Sequence, residues 1–227
     1  MVIRGLQKLT LLDFPGKLAA TVFLGGCNFR CPFCHNASLV LTGEGEKISE
    51  EEFFAFLEKR RGMLEGVCVS GGEPTLQKEI FSFIERIKAQ GYLVKLDTNG
   101  YEPEILERLL SRRLVDYVAM DIKNSQHSYA KTAGIPDLDI EKIKRSAALL
   151  MNGDIPFEFR TTVVRELHGE EDIREIGEWL RGEEKFYLQA FRDSGDIIAA
   201  GMSAHTEETM TALLGVLREY IPNAEMR

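Results

Sequence analysis

The chain is moderate in length, acidic, and of ordinary composition for a folded protein. Its 227 residues are 44% hydrophobic and 28% charged, which is enough to bury one sizeable core. The net charge of -8 argues against nucleic acid as the main partner, and no apolar run approaches the roughly eighteen residues that cross a membrane. The chain has four cysteines, no signal-like amino terminus and no linker rich in Pro, Gly or Ser. We therefore expect one domain over residues 1–227 in a reducing cytoplasm.

Short apolar runs alternate with amphipathic stretches along the chain. The apolar runs predict strands at residues 19–24, 66–70, 93–97, 115–121, 157–163 and 185–190. The amphipathic stretches predict helices at residues 49–61, 76–90, 103–111, 139–151 and 171–181, with an extra C-terminal helix at 205–220. Ser49 and Glu52 have the spacing of a capping box, and Pro103 suits a first helical turn. The alternation predicts an α/β fold of parallel units, as a partial barrel or an open sheet.

Unusual residues follow the carboxyl ends of these strands, where ligands collect in both kinds of fold. The first strand leads to a group of cysteines. The later strand ends carry, in order, Gly71-Gly72-Glu73-Pro74, Asp97-Thr98-Asn99-Gly100, Asp121-Ile122-Lys123, Arg160 with Thr162, and Gln189-Ala190-Phe191-Arg192. We expect these side chains to meet at one edge of the sheet.

Three cysteines with the spacing Cys-x3-Cys-x2-Cys follow the first strand, at Cys27, Cys31 and Cys34. A 4Fe-4S cluster is normally held by one cysteine per iron, so three thiolates leave one iron free to bind a group that is not protein. A zinc site could add His35, although a ligand adjacent to Cys34 cannot easily close the same tetrahedron. A disulfide with a spare thiol is a second alternative, which suits secreted chains. The fourth cysteine, Cys68, lies in an apolar strand and is predicted to be a core residue.

Together with the strand-end motifs, this cysteine loop resembles the radical S-adenosylmethionine (SAM) superfamily. The motifs are the Gly-Gly-Glu-Pro after the second strand, the Asp-Thr-Asn-Gly after the third and the Met120-Asp-Ile-Lys after the fourth. Within the superfamily the chain resembles the activating enzymes of glycyl radical enzymes, most closely those of anaerobic ribonucleoside-triphosphate reductase. The likeness starts at residues 11–16, Leu-Leu-Asp-Phe-Pro-Gly, and spans nearly the whole chain. It implies a single radical SAM domain folded as a partial (β/α)6 TIM-like barrel with parallel strands and an extra C-terminal helix.

The resemblance implies a 4Fe-4S cluster on Cys27, Cys31 and Cys34, whose open iron chelates SAM. An electron from a donor such as flavodoxin or ferredoxin reduces the cluster, which cleaves SAM to methionine and a 5'-deoxyadenosyl radical. In an activase this radical removes a hydrogen atom from a glycine of a partner protein, the glycyl radical enzyme.

The resemblance also assigns SAM contacts to residues at the strand ends. Gly71-Gly72 lets the backbone approach the methionyl amino group, and Glu73 bonds or balances that group. Phe33 holds the position that lies against the adenine, and Lys123 and Arg160 hold positions near the SAM carboxylate. The remaining expected contacts are Asp97, Thr98, Asn99, Asp121 and Arg192.

Two positions depart from the pattern of the relatives. Arg192 stands where formate-lyase activators tend to carry a histidine near the SAM ribose. Asp97 and Asp121 would repel each other in one pocket unless a cation lay between them, and the pyruvate formate-lyase activating enzyme uses a monovalent cation there. That enzyme's pattern has a methionine two residues before the second aspartate, whereas Ala119 holds this position here. The resemblance therefore adds a monovalent cation to the expected cofactors, with one ligand missing.

Two other functional classes share part of these motifs. A radical SAM enzyme acting on a small molecule would carry all of them and differ only in the lining opposite SAM. A non-catalytic iron-sulfur or zinc protein would need the cysteines but not the strand-end motifs. We predict the activase, with anaerobic ribonucleoside-triphosphate reductase as the partner.

Overall fold

The computed structural model describes residues 1–41, 47–183, 185–193 and 195–227. The strands in these ranges are β1 (Ile3–Thr10), β2 (Ala19–Leu24), β3 (Gly66–Gly71), β4 (Leu93–Thr98), β5 (Tyr117–Asp121), β6 (Phe157–Val163), β7 (Phe186–Ala190) and β8 (Glu225–Met226). The helices are α1 (Ala37–Leu41), α2 (Glu50–Lys59), α3 (Ile80–Ala89), α4 (Pro103–Ser111), α5 (Tyr129–Ala133), α6 (Ile140–Met151), α7 (Glu170–Trp179) and α8 (Glu207–Arg218). A 3-10 turn spans Pro74–Leu76.

These strands lie in one sheet, in the same order as in the chain. The strands from β2 to β8 run parallel to one another, while β1 pairs antiparallel with β2. β1 and β8 are the two edges, so the sheet is not closed. The strands from β2 to β7 correspond to the six predicted strands. The predicted α/β fold with a partial (β/α)6 barrel is therefore confirmed.

Local sequence signals set several of the helix starts. At the start of α2, the Ser49 hydroxyl accepts from the Glu52 N–H at 3.1 Å, and the Glu52 carboxylate accepts from the Ser49 N–H at 2.9 Å. This is the predicted capping box. α4 begins at Pro103, also as predicted. α3 begins at Ile80 rather than at residue 76, because residues 74–76 form a separate 3-10 turn that the Glu73 side chain caps.

Four short or edge elements were not predicted, namely β1, β8, α1 and α5. β1 mixes apolar residues with Gly5 and Lys8 and is half exposed along much of its length, so it lacks the pattern of a buried strand. α1 and α5 have five residues each, and β8 has two, which is too short to show a helical or strand period. Pairing and packing with the rest of the chain decide these elements.

The two faces of the sheet differ in polarity. In β4, Val94 and Leu96 join the hydrophobic core, whereas the alternate residues Lys95 and Asp97 lie on the opposite face. Several polar side chains of the central strands, among them Asp97, line a shared cavity on the inner side of the barrel. The outer side packs on the helices, and α8 packs against α7.

No helix within the described residues has the length and apolar character needed to cross a membrane.

Candidate functional site

A cavity of about 420 Å³ lies at the carboxyl ends of the strands. It brings together all the predicted site residues except Arg192, which is exposed and lies two residues beyond the end of β7. The predicted residues that line the cavity are Cys27, Cys31, Phe33, Cys34, Gly71, Gly72, Glu73, Asp97, Thr98, Asn99, Asp121, Lys123 and Arg160.

The cysteine loop, residues 25–34, forms one wall of this cavity. Its three thiols are free, and the Cys27 sulfur accepts a hydrogen bond from the Phe29 N–H at 3.3 Å. Burial, reinforced by the nearby carboxylate of Glu73, raises the pKa of Cys27 to about 12. Burial also raises the pKa of Cys31, to about 11. Both sulfurs are therefore thiols by themselves and need the positive charge of a bound metal to ionise.

The predicted cluster does not require these sulfurs to surround a single point, because each cysteine binds a different iron. Among the described residues, no three His, Cys, Asp or Glu side chains are grouped around one metal position. Cys68 is fully buried on β3 and is not part of the cavity lining, in agreement with its predicted role as a core residue.

The double glycine at the end of β3 is required because the backbone at Leu24 and Gly26 packs closely against it. Gly71 has φ of +123°, and a Cβ atom there would lie 2.3 Å from the backbone nitrogen and oxygen of Leu24. A Cβ atom on Gly72 would lie 2.0 Å from the Gly26 oxygen. Any side chain at either position would push the cysteine loop away from β3. The glycines therefore hold the cysteine loop close against the turn that carries Glu73.

Glu73 is a buried carboxylate that joins two segments of the chain. Its Oε1 accepts from the Thr75 N–H at 3.1 Å, the Thr75 hydroxyl at 2.6 Å and the Thr98 hydroxyl at 2.8 Å. Its Oε2 accepts from the Asn99 N–H at 2.6 Å. Burial raises the pKa of Glu73 in spite of these donors. The turn after β3 and the end of β4 are thereby fixed relative to each other.

Asn99 links the end of β4 to the cysteine loop. Its side-chain nitrogen Nδ2 donates to the side-chain oxygen Oδ1 of Asn28 at 2.7 Å, and the same nitrogen lies 3.8 Å from the Cys27 sulfur. Hydrogen bonds to the sulfurs of a cluster influence its potential. Asn99 therefore lies beside the Cys27 sulfur and also lines the cavity.

Another wall carries Asp97, Asp121, Lys123 and Arg160. Together with Lys95, which is buried and does not line the cavity, these residues form a charged cluster. Arg160 lies between the two aspartates, with Nη2 2.9 Å from Asp121 Oδ1 and Nη1 3.6 Å from Asp97 Oδ2. Lys123 Nζ donates to Asp121 Oδ2 at 3.0 Å, and the ammonium of Lys95 donates to Asp97 Oδ1.

These cations decide the charge of both aspartates. Burial by itself raises the pKa of Asp121, but the charges of Arg160 and Lys123 outweigh it and hold that pKa well below its usual range. The pKa of Asp97 is lowered in the same way, against burial, by Arg160 and Lys95. Both carboxylates are therefore ionised at neutral pH, and their charges are compensated by the protein.

Two residues that support this site were missed from the sequence. Lys95 was passed over inside an apolar run, although a lysine in the middle of a buried strand is itself a signal. His168 is also buried, with Nδ1 accepting from the Val164 N–H at 3.0 Å and Nε2 2.8 Å from the Lys123 carbonyl oxygen. Its ring packs edge-to-face with that of Phe33, with ring centroids 6.4 Å apart. Nothing in the sequence around His168 indicates these contacts.

The wall formed by β1 and β2 was also missed, because β1 was not predicted. Gln7, Asp13, Thr21 and Phe23 line the cavity from this side, and the Thr21 hydroxyl donates to Asp13. Asp13 lies within residues 11–16, where the likeness to the family begins. The sequence thus indicated this motif but not that Asp13 lines the cavity.

A family model described as the radical SAM superfamily matches residues 21–180. A protein of Methanocaldococcus jannaschii that is named as a glycyl-radical enzyme activating enzyme is 33% identical, over all of this chain and 95% of its own length. The chain belongs to the radical SAM activating enzymes of glycyl radical enzymes. Membership of this family implies a 4Fe-4S cluster and SAM as cofactors. The free thiols of the cysteine loop and the cavity beside them fit both groups.

Other relatives agree with this assignment of the radical SAM activase. The pyruvate formate-lyase 1-activating enzyme of Escherichia coli K12 is 27% identical over 96% of this chain and 95% of its own length. Among solved structures, Streptococcus suis SuiB bound to S-adenosylmethionine has a TM-score of 0.63 at 15% identity, covering 91% of this chain and 51% of that chain. An archaeal TYW1 has a TM-score of 0.58 at 14% identity, covering 89% of this chain and 72% of that chain. These two structures support the fold.

Proposed function

We propose that the enzyme cleaves SAM reductively at a 4Fe-4S cluster and generates a glycyl radical on a partner enzyme, anaerobic ribonucleoside-triphosphate reductase. One observation carries the proposal: the free cysteines and the three strand-end motifs, at residues 71–73, 97–99 and 121–123, line a single cavity. When bound, the reduced cluster supplies the electron that splits SAM into methionine and the radical that abstracts hydrogen. The protein binds, orients and shields the reacting groups.

The residues of the cavity divide this work among them. Cys27, Cys31 and Cys34 hold the cluster and leave one iron open. Lys123 and Arg160 present positive charge for the SAM carboxylate, and both are anchored by Asp121. Asp97, Thr98 and Asn99 complete the SAM-binding wall.

Phe33 and Glu73 provide the remaining SAM contacts that we propose. Phe33 packs edge-to-face with His168 and offers an apolar surface for the adenine. Glu73 also lines the cavity, and its second oxygen, Oε2, has a single described donor, the Asn99 N–H, so it can accept another from the methionyl amino group. We leave Arg192 out of the proposed contacts because it is exposed away from the cavity.

The proposed substrate is a protein loop rather than a small molecule. The relatives from Methanocaldococcus jannaschii and Escherichia coli, which match this chain over almost its whole length, are named as activators of other enzymes. The choice of the ribonucleotide reductase as partner rests on the motif likeness described for residues 11–16 and the strand ends. A one-electron donor such as flavodoxin or ferredoxin is the proposed reductant, and the four free cysteines support a reducing compartment.

The test is anaerobic reconstitution with iron and sulfide, followed by reduction and addition of SAM with and without the reductase. We expect 5'-deoxyadenosine and a glycyl radical signal in electron paramagnetic resonance, the latter only with the partner present. Absence of 5'-deoxyadenosine under every condition contradicts the enzymatic proposal. Formation of 5'-deoxyadenosine without a protein radical contradicts the proposed partner and favours a small-molecule substrate.

A further inference from the structure

Lys95 is a charged residue in the middle of the barrel interior. It lies on β4 with 0% of its surface exposed, next to Cys68 of β3 in the strand register. Burying an ammonium group is unfavourable unless a counter-charge meets it. Its ammonium donates to Asp97 Oδ1, and the neighbouring thiol of Cys68 stays neutral because burial raises its pKa. The charge of Lys95 is therefore directed at one carboxylate of the SAM site.

Every oxygen of the two aspartates in the charged cluster already has a protein donor. Asp97 Oδ1 is bound by Lys95, while its Oδ2 accepts from the Ser70 hydroxyl at 3.0 Å. Asp121 Oδ1 is bound by Arg160 at 2.9 Å, and its Oδ2 by Lys123 at 3.0 Å. A metal ion between these carboxylates would have to compete with these donors, three of which are cations.

The strand beside Asp97 offers no replacement ligand. Ala119 of β5 is the register partner of Asp97, is fully buried and carries only a methyl group. The residues present thus do not fit a monovalent metal ion, because the carboxylates are occupied and the third ligand is absent.

We propose that the ammonium of Lys95 takes the place of a monovalent metal ion in the charged cluster, so that the enzyme binds SAM without potassium or sodium. Lys95 acts as a positioning residue through Asp97. The inference rests on the proposed function, because SAM is the ligand whose binding it concerns.

The balance of charge supports this role. The charged cluster contains three cationic side chains and two carboxylates. This leaves one positive charge to balance the single carboxylate of SAM. A bound metal ion would add a second excess positive charge within a few ångströms of Lys95 and Arg160, where the dielectric constant is low and repulsion is strong. Glu73 makes its described hydrogen bonds with Thr75, Thr98 and Asn99 rather than with a cation of the charged cluster.

The first experiment uses the unmodified, cluster-loaded enzyme. SAM affinity is measured in potassium chloride and in tetramethylammonium chloride at equal ionic strength, because tetramethylammonium is too large for a carboxylate site. We expect the dissociation constants to agree within about twofold, and the melting temperature of the cluster-free protein to be the same in both salts. A loss of SAM affinity of about tenfold or more in tetramethylammonium overturns the inference, since it shows that a small cation is required.

The second experiment removes the ammonium with Lys95→Ala. In tetramethylammonium this variant is expected to bind SAM about tenfold or more weakly than the unmodified enzyme. Potassium or ammonium ions, which can enter the vacated space, are expected to restore part of that affinity. Wild-type affinity of Lys95→Ala in tetramethylammonium, or a loss that neither ion relieves, contradicts the inference.

Lys88→Ala is the matched control. Lys88 pairs with Asp116 at 2.7 Å, but the pair is partly exposed and lies outside the cavity lining. We expect its SAM affinity to be unchanged in both salts. Circular dichroism checks that each variant is folded. If Lys95→Ala does not fold, the salt dependence of SAM binding by the unmodified enzyme decides whether a metal ion is required. If the unmodified enzyme binds no SAM in either salt, the proposed function itself fails, which is distinct from a potassium requirement.

Discussion

The buried carboxylate of Glu73 and the aspartates of the charged cluster lie in the same cavity but have opposite electrostatics. Glu73 is surrounded by neutral donors, and burial raises its pKa. Asp97 and Asp121 are surrounded by cations, which lower their pKa values against the effect of burial. Neutral donors join backbone segments without adding charge, whereas cations keep a carboxylate ionised. One wall of the site is therefore built to hold loops together and the other to set the local charge.

Glu73 and the charged cluster serve one cofactor site only if the cysteine loop, which lines the same cavity, holds the 4Fe-4S cluster. Replacing Cys27, Cys31 or Cys34 with Ala is expected to abolish SAM cleavage, because each deletion removes the ligand of one iron. The measurement is 5'-deoxyadenosine formation together with iron content after reconstitution.

Cys68→Ala is the control for these variants. It should keep its iron and its SAM cleavage and lose only a little stability, since Cys68 is a buried core residue outside the cavity lining. Equal loss of iron in Cys68→Ala would show that Cys68 is a ligand.

Arg160→Met breaks the charged wall at its centre. The substitution removes the cation between Asp97 and Asp121 and leaves these two carboxylates with less positive charge to balance them. We expect a loss of about 3 to 5 kcal/mol in the free energy of unfolding, which is typical of breaking a buried ion pair. Urea titration of the cluster-free protein measures it.

Arg145→Met is the control for Arg160→Met, because Arg145 pairs with Glu104 and Glu107 on the surface. It should leave the urea midpoint unchanged. Similar losses in the free energy of unfolding of the two variants would mean that the ion pairs of Arg160 contribute no more than exposed ion pairs do.

Glu73→Gln tests the neutral wall. The glutamine side chain has one acceptor oxygen instead of two, so one buried donor is left unpaired, at a cost of about 1 to 3 kcal/mol. The free energy of unfolding at neutral pH measures this cost. No loss at all would show that these hydrogen bonds do not stabilise the joined loops.

The pH dependence of stability separates the two walls by sign. The pKa of Glu73 is raised above 4.5, so the stability of the wild type relative to Glu73→Gln should fall as pH rises above 4.5. The pKa of Asp121 is lowered below 3.8, so the stability relative to Asp121→Asn should fall as pH drops below 3.8. Parallel slopes in the two comparisons would contradict the assignment of opposite environments.

His168 provides the smallest expected effect. Burial lowers its pKa from 6.5 and outweighs the hydrogen bonds to the backbone of Lys123 and Val164, which by themselves raise that pKa. The folded state therefore resists protonation, and stability should fall as pH drops below 6.5, by at most about 1.4 kcal/mol per pH unit. Thermal melts of wild type and His168→Gln between pH 5 and pH 7, roughly the range in which histidine titrates, measure it. A slope that persists unchanged in the variant would assign the effect to another group.

Much of the site could be predicted because parallel strands bring their carboxyl ends together. Once the six strands were placed by their apolar runs, the motifs at residues 71–73, 97–99 and 121–123 had to meet near the cysteines. Arg192 is the exception, since it follows β7 by two residues and its side chain is exposed. A short distance beyond a strand end does not fix the direction of a side chain.

The pairing inside the cavity could not be predicted in the same way. Lys95 and Asp97 alternate with apolar residues of β4, but the run was interpreted as wholly apolar. Its inner and outer faces become distinct only when the sheet curves around a polar interior. Likewise, the glycines at 71 and 72 were expected to admit SAM, whereas their nearest neighbours are the backbone atoms of Leu24 and Gly26.

By itself the sequence determined the order of strands and helices, the cysteine spacing and the motifs that end each strand, because these depend on local period and on adjacent residues. Only the tertiary structure decided which charges meet. Arg160 lies 63 residues beyond Asp97 in the printed numbering and 39 beyond Asp121, yet it contacts both. Electrostatic partners are set by distance in space and by burial, and neither can be read from separation along the chain.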